Sequence, residues 1–151
     1  MRENQKLRFQ IKLHEGLRLN AYRDSLGYWT IGYGHLLGAR PVIRSVTLGM
    51  AESLLDEDLG IAIAGAKTFP WFEELTENRK FVVIDMVFNL GVRKLRRFTD
   101  TVGYIATGDL ERAAGEMMRS LWFRQVGKRA ERLQYMMLCD IDFHTALSLV
   151  P

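Results

Sequence analysis

The stretch His14-Glu15-Gly16-Leu17-Arg18-Leu19-Asn20-Ala21-Tyr22-Arg23-Asp24-Ser25-Leu26-Gly27-Tyr28-Trp29-Thr30-Ile31-Gly32-Tyr33-Gly34-His35 decides how this chain is read. Upstream of it, Leu7, Ile11 and His14 recur at helical spacing, with Lys6, Arg8 and Lys12 largely on other faces. Gly16 suits a C-terminal stop, which leaves Glu15 in the last helical turn. Leu17, Leu19 and Ala21 then alternate with Arg18, Asn20 and Tyr22, the pattern of a half-buried strand. Asp24-Ser25-Leu26-Gly27 carries turn chemistry: an Asp able to bond nearby backbone, and a Gly tolerant of positive φ. Tyr28-Trp29-Thr30-Ile31 reads as a strand from its aromatic and β-branched content. A chain folded back between Glu15 and Asp24 brings together two carboxylates nine positions apart. In unlike environments, such a pair can divide the work of glycoside hydrolysis, one as general acid and the other as base or nucleophile. Spacing alone does not establish that chemistry, because perturbed carboxylates also occur in structural networks.

Working outward, Thr47 is placed to N-cap a long helix reaching toward Phe69, where Pro70 discourages continuation. Gly49, Gly60 and Gly65 weigh against that helix, at up to about 1 kcal/mol each relative to Ala. The rest of the chain reads as helical. Phe81 to Leu90 is apolar nearly all round, as in a helix buried inside a lobe. Leu110, Ala113, Ala114, Met117 and Leu121 form an apolar stripe behind Asp109 as cap, with methionines as core filler. The segment 138–147 is either a last helix on the core or a weakly specified end. No internal repeat, low-complexity tract or interdomain linker interrupts the chain.

The chain has 151 residues, 48% hydrophobic and 26% charged, enough for one domain that buries about two-thirds of its unfolded surface. A single cysteine, Cys139, excludes an internal disulfide. Residues 1–10 hold no apolar run of the secretory kind, and no segment approaches the ~18 apolar residues of a membrane span. The expectation is a cytoplasmic product without membrane insertion. Net charge is +3, yet residues 79–132 carry twelve Lys or Arg against six Asp or Glu. That excess suits weak, salt-sensitive attraction to an anionic polymer. The cluster Arg93-Lys94-Leu95-Arg96-Arg97 lacks the aromatics, glycines or metal-ligand cysteines of a nucleic-acid module, so no nucleic acid is expected. No His, Cys and Asp cluster has metal-ligand spacing, and neither metal nor cofactor is expected.

Taken together, Glu15-Gly16, Tyr22-Arg23-Asp24 and Gly27 to His35 closely resemble the catalytic signature of phage-type lysozymes, the muramidases of T-even and related phages (glycoside hydrolase family 24). Met86 to Gly91, Phe98 to Thr101, Ser120 to Phe123 and Arg129 to Arg132 resemble that family's C-terminal lobe, in order. The similarity covers roughly residues 5–135. It implies an α+β, mainly helical lysozyme-like fold in one domain. A small sheet lobe at about 15–60 would be joined by the Thr47–Phe69 helix to a helical lobe at about 70–151 plus the N-terminal helix, with a cleft between. The interval from His35 to Thr47 is shorter than in T-even lysozymes, so the small lobe should be trimmed.

The implied activity is endolysin-type cleavage of the β-1,4 bond between N-acetylmuramic acid and N-acetylglucosamine in bacterial peptidoglycan, with inversion, by a monomer that lyses the host from within. Glu15 would be the general acid, its proton favoured by partial desolvation, and Asp24 with Thr30 would position or activate water. Leu36, Phe88 and Thr101 match substrate contacts, and His35 with Asp58 an interacting pair. Arg129 resembles a basic residue facing the acid. His14 stands where relatives carry an acid, which puts its partnership with Arg132 in doubt, and Glu116 replaces a polar neutral residue. The alternative reading is a non-catalytic peptidoglycan-binding relative. The intact trio of Glu15, Asp24 and Thr30 argues for the enzyme.

Overall fold

The computed structural model describes residues 2–151, with side chains from residue 5; Met1, the start of the segment read for a leader, lies outside the described residues. Helix α1 (Arg2–Glu15) leads into strands β1 (Arg18–Arg23), β2 (Trp29–Gly32) and β3 (His35–Gly38) and the long helix α2 (Leu48–Lys67). A 3₁₀ turn (Phe72–Glu74) precedes α3 (Glu77–Leu90), α4 (Val92–Arg96), α5 (Thr99–Ala106), α6 (Leu110–Arg119), α7 (Leu121–Val126), α8 (Lys128–Cys139) and α9 (Phe143–Leu149). The class is α+β, as the sequence predicts. Two compact units emerge, residues 1–61 and 62–151, and α2 runs through the boundary. No helix among the described residues is long and apolar enough to cross a membrane.

In the first unit the three strands form an antiparallel sheet ordered β1-β2-β3. The predicted hairpin forms, and β3 is an addition that short glycine-flanked runs such as His35–Gly38 do not announce. Residues 44–46 return along the outer edge of β1. Ala21 N donates to Arg44 O and Val46 N to Leu19 O, both at 2.9 Å, so the edge is satisfied. The half-buried alternation expected for β1 is not realised, and Leu17 and Leu19 are exposed. A register irregularity between Arg18 and Tyr22 breaks the period of two.

Helix α1 buries Leu7 and Ile11, the face the sequence marks. Helix α1 falls within the unit ending at Ile61. The reason is electrostatic as well as apolar: Arg8 pairs with Glu52 and Asp56 of α2, and Lys12 reaches Glu52 at 2.5 Å. Thr47 caps α2 by accepting from Met50 N at 3.1 Å, as expected. Gly65 does not break α2, and its bare Cα admits Val87 and Val92, which a Cβ would meet at 3.2 and 3.3 Å.

In the second unit α3 is buried from Val82 to Val87. The one charge in that run, Asp85, accepts from Arg129 Nε of α8 at 2.8 Å, and Arg129 Nη2 stands 2.7 Å away in the same ion pair. Met117, Leu133, Met136 and Met137 complete the core as packing residues. Leu121 leaves the stripe assigned to it and is exposed, because α6 ends at Arg119 and Ser120 caps a new helix through Phe123 N. The tail resolves as α9, capped by Asp142 and burying Phe143 and Ala146. Arg132 Nε and Lys128 Nζ tie it down through Val150 O and Pro151 O at 2.8 and 2.7 Å.

Candidate active site

Glu15 is the last residue of α1, half-buried, because Gly16 stops the helix at φ +69° with its N–H on Lys12 O at 2.9 Å. Gly34, between β2 and β3, lies against the Glu15 carboxyl. A Cβ there would stand 2.8 Å from Glu15 Cδ, and the backbone sits at φ +72°. Only glycine satisfies both conditions. Gly34 is thus the backbone position that admits the carboxyl, a role the sequence reading did not assign.

Asp24 follows the last residue of β1 and organises the hairpin turn. Its Oδ1 accepts from Leu26 N and Tyr28 N, both at 2.9 Å, while its backbone exchanges bonds with Tyr28 and Gly27. This is the local chemistry that favours Asp at a turn. Among the described residues, no hydrogen bond engages Oδ2, so the carboxylate is aimed by one oxygen and available at the other. Thr30, on β2, is 5% exposed. Its hydroxyl donates to Tyr28 O at 3.3 Å, a long bond that leaves the oxygen lone pairs to accept.

Strand register sets these residues side by side. Thr30 faces Tyr22 of β1 and Leu36 of β3, and directly opposed residues share a sheet face. The row Tyr22–Thr30–Leu36 therefore runs across the sheet, two residues from Asp24. Arg18 stacks on the Tyr22 ring at 4.5 Å. Burial pushes the Tyr22 phenol above its ordinary value, and the charge of Glu15 pushes it further; Arg18 opposes them and Asp24 adds to them. Both carboxylates thus act on one phenol, which stays protonated as a hydrogen-bond donor. Sequence reading passed over Tyr22 as part of a motif, and the signal for it is its position two residues before Asp24 on the face of Thr30.

Leu36 is 58% exposed, so it is a surface residue rather than a core wall. His35 Nδ1 and Asp58 Oδ2 meet at 2.8 Å, tying β3 to α2 as the resemblance implies. Phe88 and Thr101 belong to the second unit. Phe88 is half-buried on α3, and Thr101 is buried on α5. Thr101 lines an open cavity of about 490 Å³ with Phe98, Trp122 and Glu116. Trp122 Nε1 is fixed there by Asn89 Oδ1 at 2.8 Å, and Glu116 is held by Arg119 at 2.8 Å.

The family model described as phage lysozyme matches residues 12–135, which span every residue of this site. The chain belongs to the phage lysozyme family. Among similar proteins, an endolysin of Acyrthosiphon pisum secondary endosymbiont phage 1 is 34% identical, covering 79% of this chain and 80% of its own. A probable T4-type lysozyme of Dictyostelium discoideum is 29% identical over 82% of this chain and 88% of its own. The pre-baseplate central spike protein Gp5 of Enterobacteria phage T4 is 28% identical over 89% of this chain, which spans only 28% of that protein. The lysozyme is accordingly a glycoside hydrolase of the muramidase type, with bacterial peptidoglycan as its substrate.

Proposed function

We propose that the enzyme cleaves the β-1,4 bond between N-acetylmuramic acid and N-acetylglucosamine with inversion, and that Glu15, Asp24 and Thr30 carry the reaction. Glu15 protonates the glycosidic oxygen from the end of α1. Asp24 Oδ2 accepts one proton of a water molecule and Thr30 Oγ1 the other, which turns the water's remaining lone pair toward the anomeric carbon. The observation that carries this reading is the commitment of Asp24 Oδ1 to two turn amides beside the Thr30 row. A carboxylate so aimed holds a water and has no need to approach the sugar itself. The carboxyl groups of Glu15 and Asp24 should stand roughly 6.5–9.5 Å apart with substrate bound, the inverting range. Leu36, Phe88 and Thr101 are assigned as substrate contacts, in a monomer that stays in the cytoplasm of the producing cell until lysis.

The test is wild type beside Glu15→Gln on purified peptidoglycan, with NMR of freshly released ends. The amide keeps the shape but delivers no proton, so lysis should fall by about 10² to 10⁴. Wild type should release the α-anomer first. Turbidity clearing by Glu15→Gln at more than half the wild-type rate removes Glu15 from its role. Initial β-anomer, or a glycosyl adduct on Asp24, makes Asp24 a nucleophile and overturns the inversion.

A further inference from the structure

Residues 25–51 run for twenty-seven positions without a carboxylate, from Ser25 to Ala51. Inside that run, Arg40-Pro41-Val42-Ile43-Arg44 forms the turn after β3, an apolar tip flanked by two arginines. Val42 is 74% exposed, and Leu48 and Met50, at the start of α2, are 53% and 48% exposed. Arg40 and Arg44 are exposed, and no ion pair engages either one among the described residues. Beside the tip, Ile43, Val46, Met50 and Leu54 line an open cavity of about 440 Å³ whose wall holds no charged residue. A surface in water normally disperses its apolar side chains among charges of both signs, and the tip at 40–44 carries charge of one sign only.

We propose that this tip docks on an anionic phospholipid surface. Val42, Leu48 and Met50 enter the boundary between headgroups and acyl chains, and Arg40 and Arg44 lie among the lipid phosphates. The chain lies on the bilayer and does not span it. Charge selects this occupant over a second copy, because a two-fold pairing of tips would set Arg40 and Arg44 against their own copies. The uncharged cavity selects it over a phosphate-bearing wall polymer, which would engage the arginines but has no acyl region to fill the space between Ile43 and Leu54.

The experiment is cosedimentation of the full chain with phosphatidylcholine vesicles, with and without phosphatidylglycerol, at low and high salt. Isolated sacculi serve as a parallel arm. Binding should need the anionic lipid and weaken with salt. Arg40→Gln with Arg44→Gln should lower partitioning about 25-fold, at about fivefold per basic residue. Val42→Ser with Leu48→Ser should lower it about tenfold at either salt concentration. All four side chains are exposed and outside the hydrolytic site, so both double variants should keep the wild-type Tm and clear purified walls at the wild-type rate. Absence of wild-type binding, equal binding to neutral vesicles, or unchanged binding by both double variants overturns the proposal. Loss of sacculus binding by these variants, with no vesicle binding, assigns the tip to wall polymer instead.

Discussion

The two units spend their apolar residues differently. Of the sixteen large hydrophobic residues that are exposed among the described residues, eleven lie at or before Ile61, in the shorter unit. The second, longer unit exposes five, and buries an ion pair between α3 and α8. The first unit supplements a core of Leu7, Ile11, Ile31, Leu55 and Leu59 with hairpin turns, a capped helix and paired charges between α1 and α2. The carboxylates proposed for the reaction, Glu15 and Asp24, thereby stand in the unit that leaves more of its large apolar side chains exposed.

That contrast is broken most severely by removing one member of the buried pair. Arg129→Met removes the cation paired with Asp85, which is fully buried. Truncating one partner of a buried ion pair typically costs about 3–5 kcal/mol. At about 2–4 °C per kcal/mol for a domain of this size, Tm should fall by roughly 10 °C or more. Adding Asp85→Leu should restore much of the loss, since apolar replacement of a whole pair is often neutral. A thermal melt in which the single variant stays within a degree of wild type would place the stability of the second unit elsewhere.

A smaller effect on stability, with a larger one on rate, is expected at Gly34. Gly34→Ala places a non-glycine residue at φ +72° and a methyl against the Glu15 carboxyl. The backbone should cost about 1–2 kcal/mol. The side chain in the way is the flexible end of Glu15, so the fold yields by moving that carboxyl. Displacement of a catalytic group by about 1 Å can cost 10² in rate. Gly38→Ala is the control, because Gly38 shares the positive φ (+100°) but has nothing within 4 Å of the added methyl. Equal activity loss in the two variants would show backbone strain alone, and would take Glu15 positioning away from Gly34.

The sequence made most of this architecture legible where local chemistry and periodicity agree. The Gly16 stop, the Asp24 turn, the Thr47 cap and the 82–87 core follow from side-chain type and spacing. Strand β3 was not legible, because four residues between glycines carry no period. The exposure of Leu17 and Leu19 was equally hidden, since it depends on a register irregularity rather than on composition. Leu121 looked like a continuation of α6 because apolar spacing runs through the Ser120 cap that ends it. Within the site, Glu15, Asp24 and Thr30 stood out from the chain as chemistry. Tyr22 and Gly34 did not, because their importance comes from which strand faces which, and pairing is a tertiary fact.

The smallest predicted effect concerns the charges that keep α1 with the first unit. Glu52 accepts from Lys12 at 2.5 Å and from Tyr33 Oη at 3.3 Å, and pairs with Arg8. The Lys12 hydrogen bond holds its carboxyl below the ordinary value of 4.5; burial raises it in opposition, and the charges of Lys12 and Arg8 and the Tyr33 bond also lower it. A carboxyl with a lowered folded value binds its proton less readily in the folded than in the unfolded state. The stability it contributes is therefore complete above about 4.5 and disappears as pH falls through the lower folded value. Partly exposed pairs of this kind are worth about 0.2–1 kcal/mol, so Glu52→Gln should lower Tm by about 1–3 °C at neutral pH. The gap between wild type and variant should close as pH drops below that range and stay constant above it. A gap that persists in strong acid would mean that Glu52 holds α1 through packing, and the tether between α1 and α2 would then be apolar after all.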